Sequence, residues 1–416
     1  MQPSSSAQTT VPGRPWALLA LVVLIGFNLR PFLTGPGPLL AGIGADTGMG
    51  YAGVALLTLL PMLLMGGGAF LVPGIQAAAG TRRGMLAALL LLTLGSLLRL
   101  VVPDGLTLVL TAVLCGAGAA FIQAAFPGII KQHFPHAMAR VMGLYSAMLM
   151  GGGALGAQLT PLLAGGDGNW RGALAWLALP AAIALAVAWR TLSDGAVSTP
   201  DRSLSGALLR RPRTWLLMVA FGLVNGGYSS MVAWLAPYYQ AHGWSGAASG
   251  SLVAIMAVFQ AAAALGLPML AARGRDRRPW LILTLVLQAV GFAGLAFLPL
   301  VSPVAWAAIC GAGLGGGFAL ALITALDHLP RPEQAGALAA LMQGGGFLIA
   351  ALPPLALALL QERTGSFAAG WVLHLVCVAV TFVLYLRLNP ARYAGALDMT
   401  EPTRGADRPA SAENIG

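Results

Sequence analysis

Acidic side chains are missing from every long apolar stretch of this sequence. Of its 416 residues only 13 are Asp or Glu, and all of them lie in polar connectors, tails or the ends of apolar runs, with Asp327 coming closest to an interior position. A cation site or a carboxylate proton relay deep in an apolar medium is therefore not expected. Lysine is reduced to a single residue, Lys131, against 22 arginines. Cysteine is as scarce: Cys115, Cys310 and Cys377 each sit inside an apolar run without a loop partner, which excludes a disulfide or metal framework and suits small packing residues. Charged residues make up 9% of the chain, where a soluble domain carries about 25%. No paired carboxylates, His-rich segment or Cys-His cluster occurs at depth, so a membrane-embedded enzyme, a metal site and a bound cofactor are not expected.

What is present is apolar. Hydrophobic residues account for 58% of the chain and the mean hydropathy is +0.80, the composition of a polytopic all-α membrane protein. Runs of bilayer length recur at about 16–40, 51–77, 84–102, 105–130, 138–163 and 171–191, then at about 214–240, 247–271, 279–300, 303–326, 335–360 and 367–388, predicting twelve transmembrane helices. The boundaries that follow are a leader over 1–15, a six-helix half over 16–191, a polar connector over 192–213, a second six-helix half over 214–389 and a tail over 390–416. The tail is rich in Pro, Gly, Ala and charge and reads as disordered. The run after the leader is too long for a signal sequence and no small-residue cleavage site follows it, so it reads as the first spanning helix.

A formal net charge of +10 does not point to nucleic acid, because of where the basic residues fall. Nineteen of the 23 occupy the leader, the connector, the tail and the loops after even-numbered spans, while the opposite loops hold Arg171 and Arg363. That bias places both termini in the cytoplasm, with the lipid bilayer as the surroundings of the spans. The halves also repeat. Pro73 to Arg83 (PGIQAAAGTRR) lies over Pro268 to Arg278 (PMLAARGRDRR) at an offset of 195, which also carries Cys115-Gly-Ala-Gly onto Cys310-Gly-Ala-Gly and His133 onto His328. After a two-residue deletion an offset of 193 carries Gly143 onto Gly336, Gly151–Gly153 onto Gly344–Gly346 and Pro161 onto Pro354. Two pseudo-symmetric six-helix halves in parallel repeat, joined by a basic connector, form the major facilitator pattern, with substrate near midplane between halves that rock about it. Glycine triplets at Gly66–Gly68, Gly151–Gly153, Gly315–Gly317 and Gly344–Gly346 predict close helix packing.

One charge stands inside an apolar run. Arg30 follows Trp16 by fourteen residues, which at about 1.5 Å per residue puts it roughly 20 Å into a bilayer core about 30 Å thick. Such a residue normally faces a bundle interior or a water-filled path. Pro31 removes a backbone donor, and Gly35-Pro36-Gly37-Pro38 loosens the helix beyond it. With no acidic partner at depth, Arg30 calls for an anionic ligand; backbone carbonyls are the structural alternative. In the seventh span Asn225 and Tyr228 share a helix face beside the flexible Gly226-Gly227 pair, hydrogen-bond groups next to a backbone that can bend. Gln260, Gln343 and Tyr145 lie at comparable depth, as does Ser146, and each could line the same site or serve packing. His374, the one histidine at depth, could carry a coupling proton. Asn28 is two residues from Arg30 and points away from it, Gln123 lies towards the basic end of the fourth span, and Arg99 is expected to snorkel at the end of the third.

NLRPFLTGPGPLL in the first span, QAAFPGIIKQHFP in the fourth, GLYSAMLMGGGALGAQLTP in the fifth, FGLVNGGYSSMVAWL in the seventh, ALDH at 325–328 and HLVCV at 374–378 resemble the cyanate-permease/2-nitroimidazole-transporter family of the major facilitator superfamily. The resemblance runs from the first span to Arg392. It implies an alternating-access transporter of a small, compact solute, with cyanate, a linear monoanion, leading and a neutral 2-nitroimidazole-type heterocycle second; a membrane sensor is a remote third. It also implies a monomer. Two features depart from the wider superfamily: the loop signature Gly-x3-Asp-Arg-x-Gly-Arg-Arg is reduced to Gly80-Thr81-Arg82-Arg83 without its aspartate, and the fifth span lacks the Gly-Pro pair of drug antiporters.

Overall fold

A computed structural model of the chain describes residues 15–49, 51–165, 168–193 and 202–397. Apart from Pro15, the predicted leader falls outside those residues, as do part of the connector and the tail beyond residue 397.

Apolar runs too long to hide in a small core fold as helices because helices alone satisfy every backbone polar group internally. Among the described residues they are α1 (Trp16–Thr34), α2 (Tyr51–Gly68 and Val72–Ala79), α3 (Thr81–Val101), α4 (Gly105–His133), α5 (Met138–Ala164) and α6 (Trp170–Thr191), followed by α7 (Pro212–Ala241), α8 (Gly246–Ala271), α9 (Arg278–Phe297), α10 (Pro303–Asp327), α11 (Pro332–Ala350 and Leu352–Thr364) and α12 (Ala368–Leu386). Eleven meet the length and apolarity of a span outright, and α2 makes the twelfth if its two parts, bent by 65°, count as one. Their outward residues, among them Leu106, Leu162, Leu179, Phe297 and Val301, are large, apolar and exposed, as a lipid-facing surface requires. The chain is a multi-pass membrane protein.

The packing repeats with a period of six helices. In the first half α2 and α3 lie on α4, α1 on α5 and α6, and α3 on α6; in the second, α8 and α9 lie on α10, α7 on α11 and α12, and α9 on α12. Between the halves α5 meets α8 and α2 meets α11, a crossed pair that a two-fold rotation exchanges. The glycines of the sequence repeat make equivalent contacts. A Cβ on Gly116 would meet Pro61 of α2 at 2.6 Å, and one on Gly311 would run into Met256 of α8, residues separated by the same 195. Gly118 likewise abuts Ala88 and Leu92 of α3, and Gly313 abuts Thr284 and Gln288 of α9. Lipid gives no hydrophobic drive between helices, so close backbone approach supplies the dispersion contact that holds them.

Both halves converge on the face that carries the connector and the basic loops. Lys131 at the end of α4 donates to the carbonyls of Leu326 and Leu329 at the end of α10. Gly128 of α4 and Gly336 of α11 approach so closely that a Cβ on either would lie 3.0–3.2 Å from the other's Cα. Gly143 of α5 packs on Ala264, Leu265 and Pro268 of α8. Within the connector Arg202–Leu209 forms a short helix against Val72–Ala79 and α11, touching both halves.

α7 runs unbroken through Gly226 and Gly227, which let Pro353 of α11 and Phe292 of α9 against its backbone. One expectation is corrected. The first part of the predicted disordered tail is ordered: Pro390–Arg392 and Tyr393–Ala396 form short helical turns, and the Tyr393 ring stacks on His328 at 3.7 Å. An aromatic ring with a buried partner overrides the polar composition around it.

The glycine contacts predict a graded cost. Gly315→Val drives a side chain into the Gln260 backbone and should lower stability by at least about 1–3 kcal/mol, whereas Gly67→Ala, exposed with nothing near its Cβ position, should cost nothing in the same thermal unfolding in detergent. His328 gives a pH dependence. Its Nδ1 donates to the Thr324 carbonyl at 2.6 Å, its Nε2 is buried without a partner, and burial, with Arg213 and Lys131 nearby, pushes its pKa down from 6.5 to about 4. The folded state then binds fewer protons than the unfolded chain between those values, so stability is intact above about pH 6.5 and falls towards pH 4. His328→Phe, which keeps the ring stack, should flatten that slope in pH-dependent melting curves.

Candidate functional site

Arg30 sits at a break in α1. The regular helix ends at Asn28, the Leu29 amide reaches back to Gly26 at 3.2 Å, and Arg30, with φ −123° and ψ −28°, caps a short new turn that starts at Pro31. Pro31 lacks an N–H and suits that first position. The break is held from α5: a Cβ on Gly156 would meet Pro31 at 2.7 Å, one on Gly153 would meet Arg30 Cβ at 3.1 Å, and Thr34 Oγ1 donates to the Gly153 carbonyl at 2.7 Å. The sequence segment Pro31 to Gly37 therefore seats the arginine while α5 fixes its backbone.

The side chain crosses to the other half. Arg30 is 4% exposed, and its Cζ lies 5.3 Å from the Tyr228 ring of α7 and 5.8 Å from the Phe347 ring of α11. Its Nε is buried without a hydrogen-bond partner, and no carboxylate bonds to it among the described residues. Two aromatic faces offset part of the desolvation cost, about 0.5–2 kcal/mol each. They leave the donor fork unused.

Towards the basic face a polar layer follows. Gln343, one turn before Phe347 on α11, donates through Nε2 to the Gln123 backbone carbonyl of α4 at 3.0 Å, joining the halves. Its Oε1 has no partner, nor have Oε1 and Nε2 of Gln123, the Tyr145 hydroxyl and the Ser146 hydroxyl, all fully buried. Tyr145 packs at a tilt against Phe126, one turn from Gln123, with ring centroids 5.6 Å apart. A buried polar atom without a partner costs about 1–3 kcal/mol, so a concentration of them is unusual. It lies on α1, α4, α5 and α11, where the two halves meet.

The other residues singled out in the sequence are placed differently. Asn225 is buried but bonds within its own helix, Nδ2 to the Phe221 carbonyl at 2.8 Å. Gln260 is buried on α8 where that helix packs against Gly315 of α10. His374 is buried on α12 with both ring nitrogens unpartnered, stacked on Phe292 at 4.8 Å and beside Trp371, within an aromatic cluster of the second half. No described contact joins these three to Arg30. Asn28 donates to Leu24 and, across to α6, to Pro180 at 3.1 Å, so it does turn away from Arg30. Arg99 corrects an expectation: it does not snorkel but is 0% exposed between α3 and α4. Phe347 went unnoticed in the sequence, although it stands four residues after Gln343 on one helix face.

The unpartnered atoms predict an inversion of the usual mutational cost. Gln123→Leu and Tyr145→Phe, which remove orphaned groups, should leave the thermal midpoint unchanged or raised, whereas Gln343→Leu should lower stability by about 1 kcal/mol through loss of the bond between halves. Unfolding curves of the three variants in one detergent check the ranking.

The sequence matches the family model described as Major Facilitator Superfamily over residues 16–326. It is 44% identical over 378 residues to the Cyanate transport protein CynX of Escherichia coli (strain K12), covering 90% of this chain and 98% of that one. It is 31% identical over 371 residues to the 2-nitroimidazole transporter of the same strain, covering 88% and 93%. Among solved structures, the proton:xylose symporter XylE bound to 6-bromo-6-deoxy-D-glucose superposes with a TM-score of 0.71 at 12% identity, over 89% of this chain and 94% of that one. FucP in the outward conformation gives 0.68 at 13% identity, over 89% and 98%. At such identities the structural likeness speaks for the fold alone.

Proposed function

The chain belongs to the Major Facilitator Superfamily and is a membrane transporter, and we propose that its cargo is a small monovalent anion, cyanate foremost, bound by Arg30 and moved by alternating access. The observation that carries this reading is the guanidinium itself: buried, free of any carboxylate, its Nε unpartnered, and framed by rings of the opposite half. The 44% identity to a cyanate transport protein supports the choice of ion. A linear three-atom anion can accept from the planar fork at one end and from the hydroxyl of Tyr145 or the amide of Gln123 at the other.

Coupling of cargo to motion follows from charge. Arginine stays ionised in proteins, so sealing it between the halves without an anion leaves a desolvated charge uncompensated. Bound anion cancels that charge and lets the halves close over it from either side. Tyr228 and Phe347 report the closure directly, because each belongs to the half opposite Arg30. The basic face is read as cytoplasmic by its arginines, with both termini on that side of the inner membrane. Lys131 and the Gln343 bond then form the inner barrier, which must part to release the ion. His374, Asn225 and Gln260 take secondary places, shaping the second half behind Tyr228. The protein is taken to act as a monomer.

The same two rings would also flank a flat neutral heterocycle, and the 31% identity to a 2-nitroimidazole transporter makes that the second reading. Counterflow of labelled cyanate into proteoliposomes separates the two. Wild type should accumulate label, Arg30→Gln should not, and Arg30→Lys should be impaired, since a charge-assisted fork contact is worth about 1.5–3 kcal/mol, or roughly 10- to 150-fold in affinity. Unchanged uptake in Arg30→Gln would sink the anion site; a wild type silent with cyanate that binds a 2-nitroimidazole in a ligand-binding assay would favour the heterocycle.

A further inference from the structure

A second guanidinium is buried away from the centre. Arg99, near the end of α3 on the face opposite the basic one, is 0% exposed. Its Nε donates to Thr111 Oγ1 of α4 at 3.3 Å, and its two terminal nitrogens are buried without any partner. Ser96 and Cys115, 3.8 Å apart and both buried, complete the polar lining. Two acidic residues described at that end, Asp46 and Asp104, are engaged elsewhere. Asp46 accepts from Trp170 and Arg171, each at 2.9 Å, and Asp104 caps α4 by accepting from the Thr107 amide at 2.8 Å.

The internal repeat supplies a control for this site. At the offset of 195, Ser96, Arg99, Thr111 and Cys115 correspond to Gly291, Gly294, Trp306 and Cys310. There the Trp306 ring lies flat against Gly294, so closely that a Cβ would fall into it, and Gly291 abuts Cys310. The second half fills the same place between its equivalent helices with an indole. The architecture therefore has an apolar solution for this position, and the first half instead keeps a charge that cannot be neutralised by losing a proton.

We propose that Arg99, with the hydroxyl of Ser96, binds a compact inorganic monovalent anion of halide size inside the first half, apart from the transported ion. Thr111, whose hydroxyl donates to the Leu108 carbonyl at 2.7 Å, positions the guanidinium by accepting from its Nε. The guanidinium offers up to four unused N–H donors, and among the described residues no carboxylate bonds to it. Arg99 lies two residues before the end of α3, and Val102 just beyond it accepts from Arg171 Nε at 2.9 Å, so the site lies beneath that surface rather than at the centre of the bundle. Binding there ties α3 to α4 and stabilises the first half. It does not depend on what Arg30 carries.

The test is thermal unfolding of purified protein in sodium gluconate against sodium chloride, with bromide soaks for anomalous diffraction. Chloride should raise the wild-type midpoint saturably by roughly 2–4 °C. The shift should persist in R30Q, which removes the central charge, and vanish in R99Q. Should R99Q fail to fold, the double variant R99G/T111W imports the pair found in the other half and should fold without responding to chloride. A bromide peak beside Arg99 supports the site. Equal wild-type midpoints in the two salts, a chloride shift that survives in R99G/T111W, or bromide at Arg30 alone would overturn it.

Discussion

An ionised guanidinium in a medium that cannot solvate it is the constraint around which the rest of this molecule is arranged. Arg30 can be neither deprotonated nor left bare at low cost, so the chain surrounds it with the partial compensation that an apolar interior allows: two ring faces, a broken helix and a layer of hydroxyls and amides. The components come from α1, α4, α5, α7 and α11, and both rings come from the other half. The charge thus belongs to the interface between halves rather than to either one. Its partners change whenever the halves move.

Movement of that kind needs halves that are internally rigid, and the glycine contacts provide it. Gly116, Gly118, Gly311 and Gly313 press α4 and α10 onto their neighbours by equivalent contacts, so each half behaves as a packed block. Between halves the contacts are different in nature: a lysine on helix-end carbonyls, a glutamine bond, and glycines that admit the facing helix, as where Gly128 meets Gly336 and the Leu348 side chain lies on Gly66. Rigid blocks with a shallow seam follow from where the small residues are placed.

Much of this was legible in the sequence because the signals are one-dimensional. Span positions follow from apolar run length, the two halves from matched residues at a fixed offset, and Arg30 from being a charge where none is tolerated. What was not legible depends on azimuth, which a count of residues along a helix does not reveal. Arg99 and Asn225 show the difficulty: the first lies at the depth expected yet turns inward, and the second lies at the depth expected yet bonds to its own helix. Phe347 was invisible for the opposite reason, since one more aromatic in an apolar run carries no signature until its neighbour is known to be a cation. Tyr393 was hidden by composition, a single stacking ring within a segment whose average says disorder.

Lys131 has a consequence for how the molecule meets reactive chemistry. It is the sole side-chain amine of the chain, and its nitrogen is committed to two carbonyls where α4 meets α10. The other 22 basic residues are arginines, whose guanidinium is far less nucleophilic than an amine. An amine-directed acylating reagent therefore has one side-chain address on this protein. The reactivity of that address is a direct readout of whether the seam between the halves is shut.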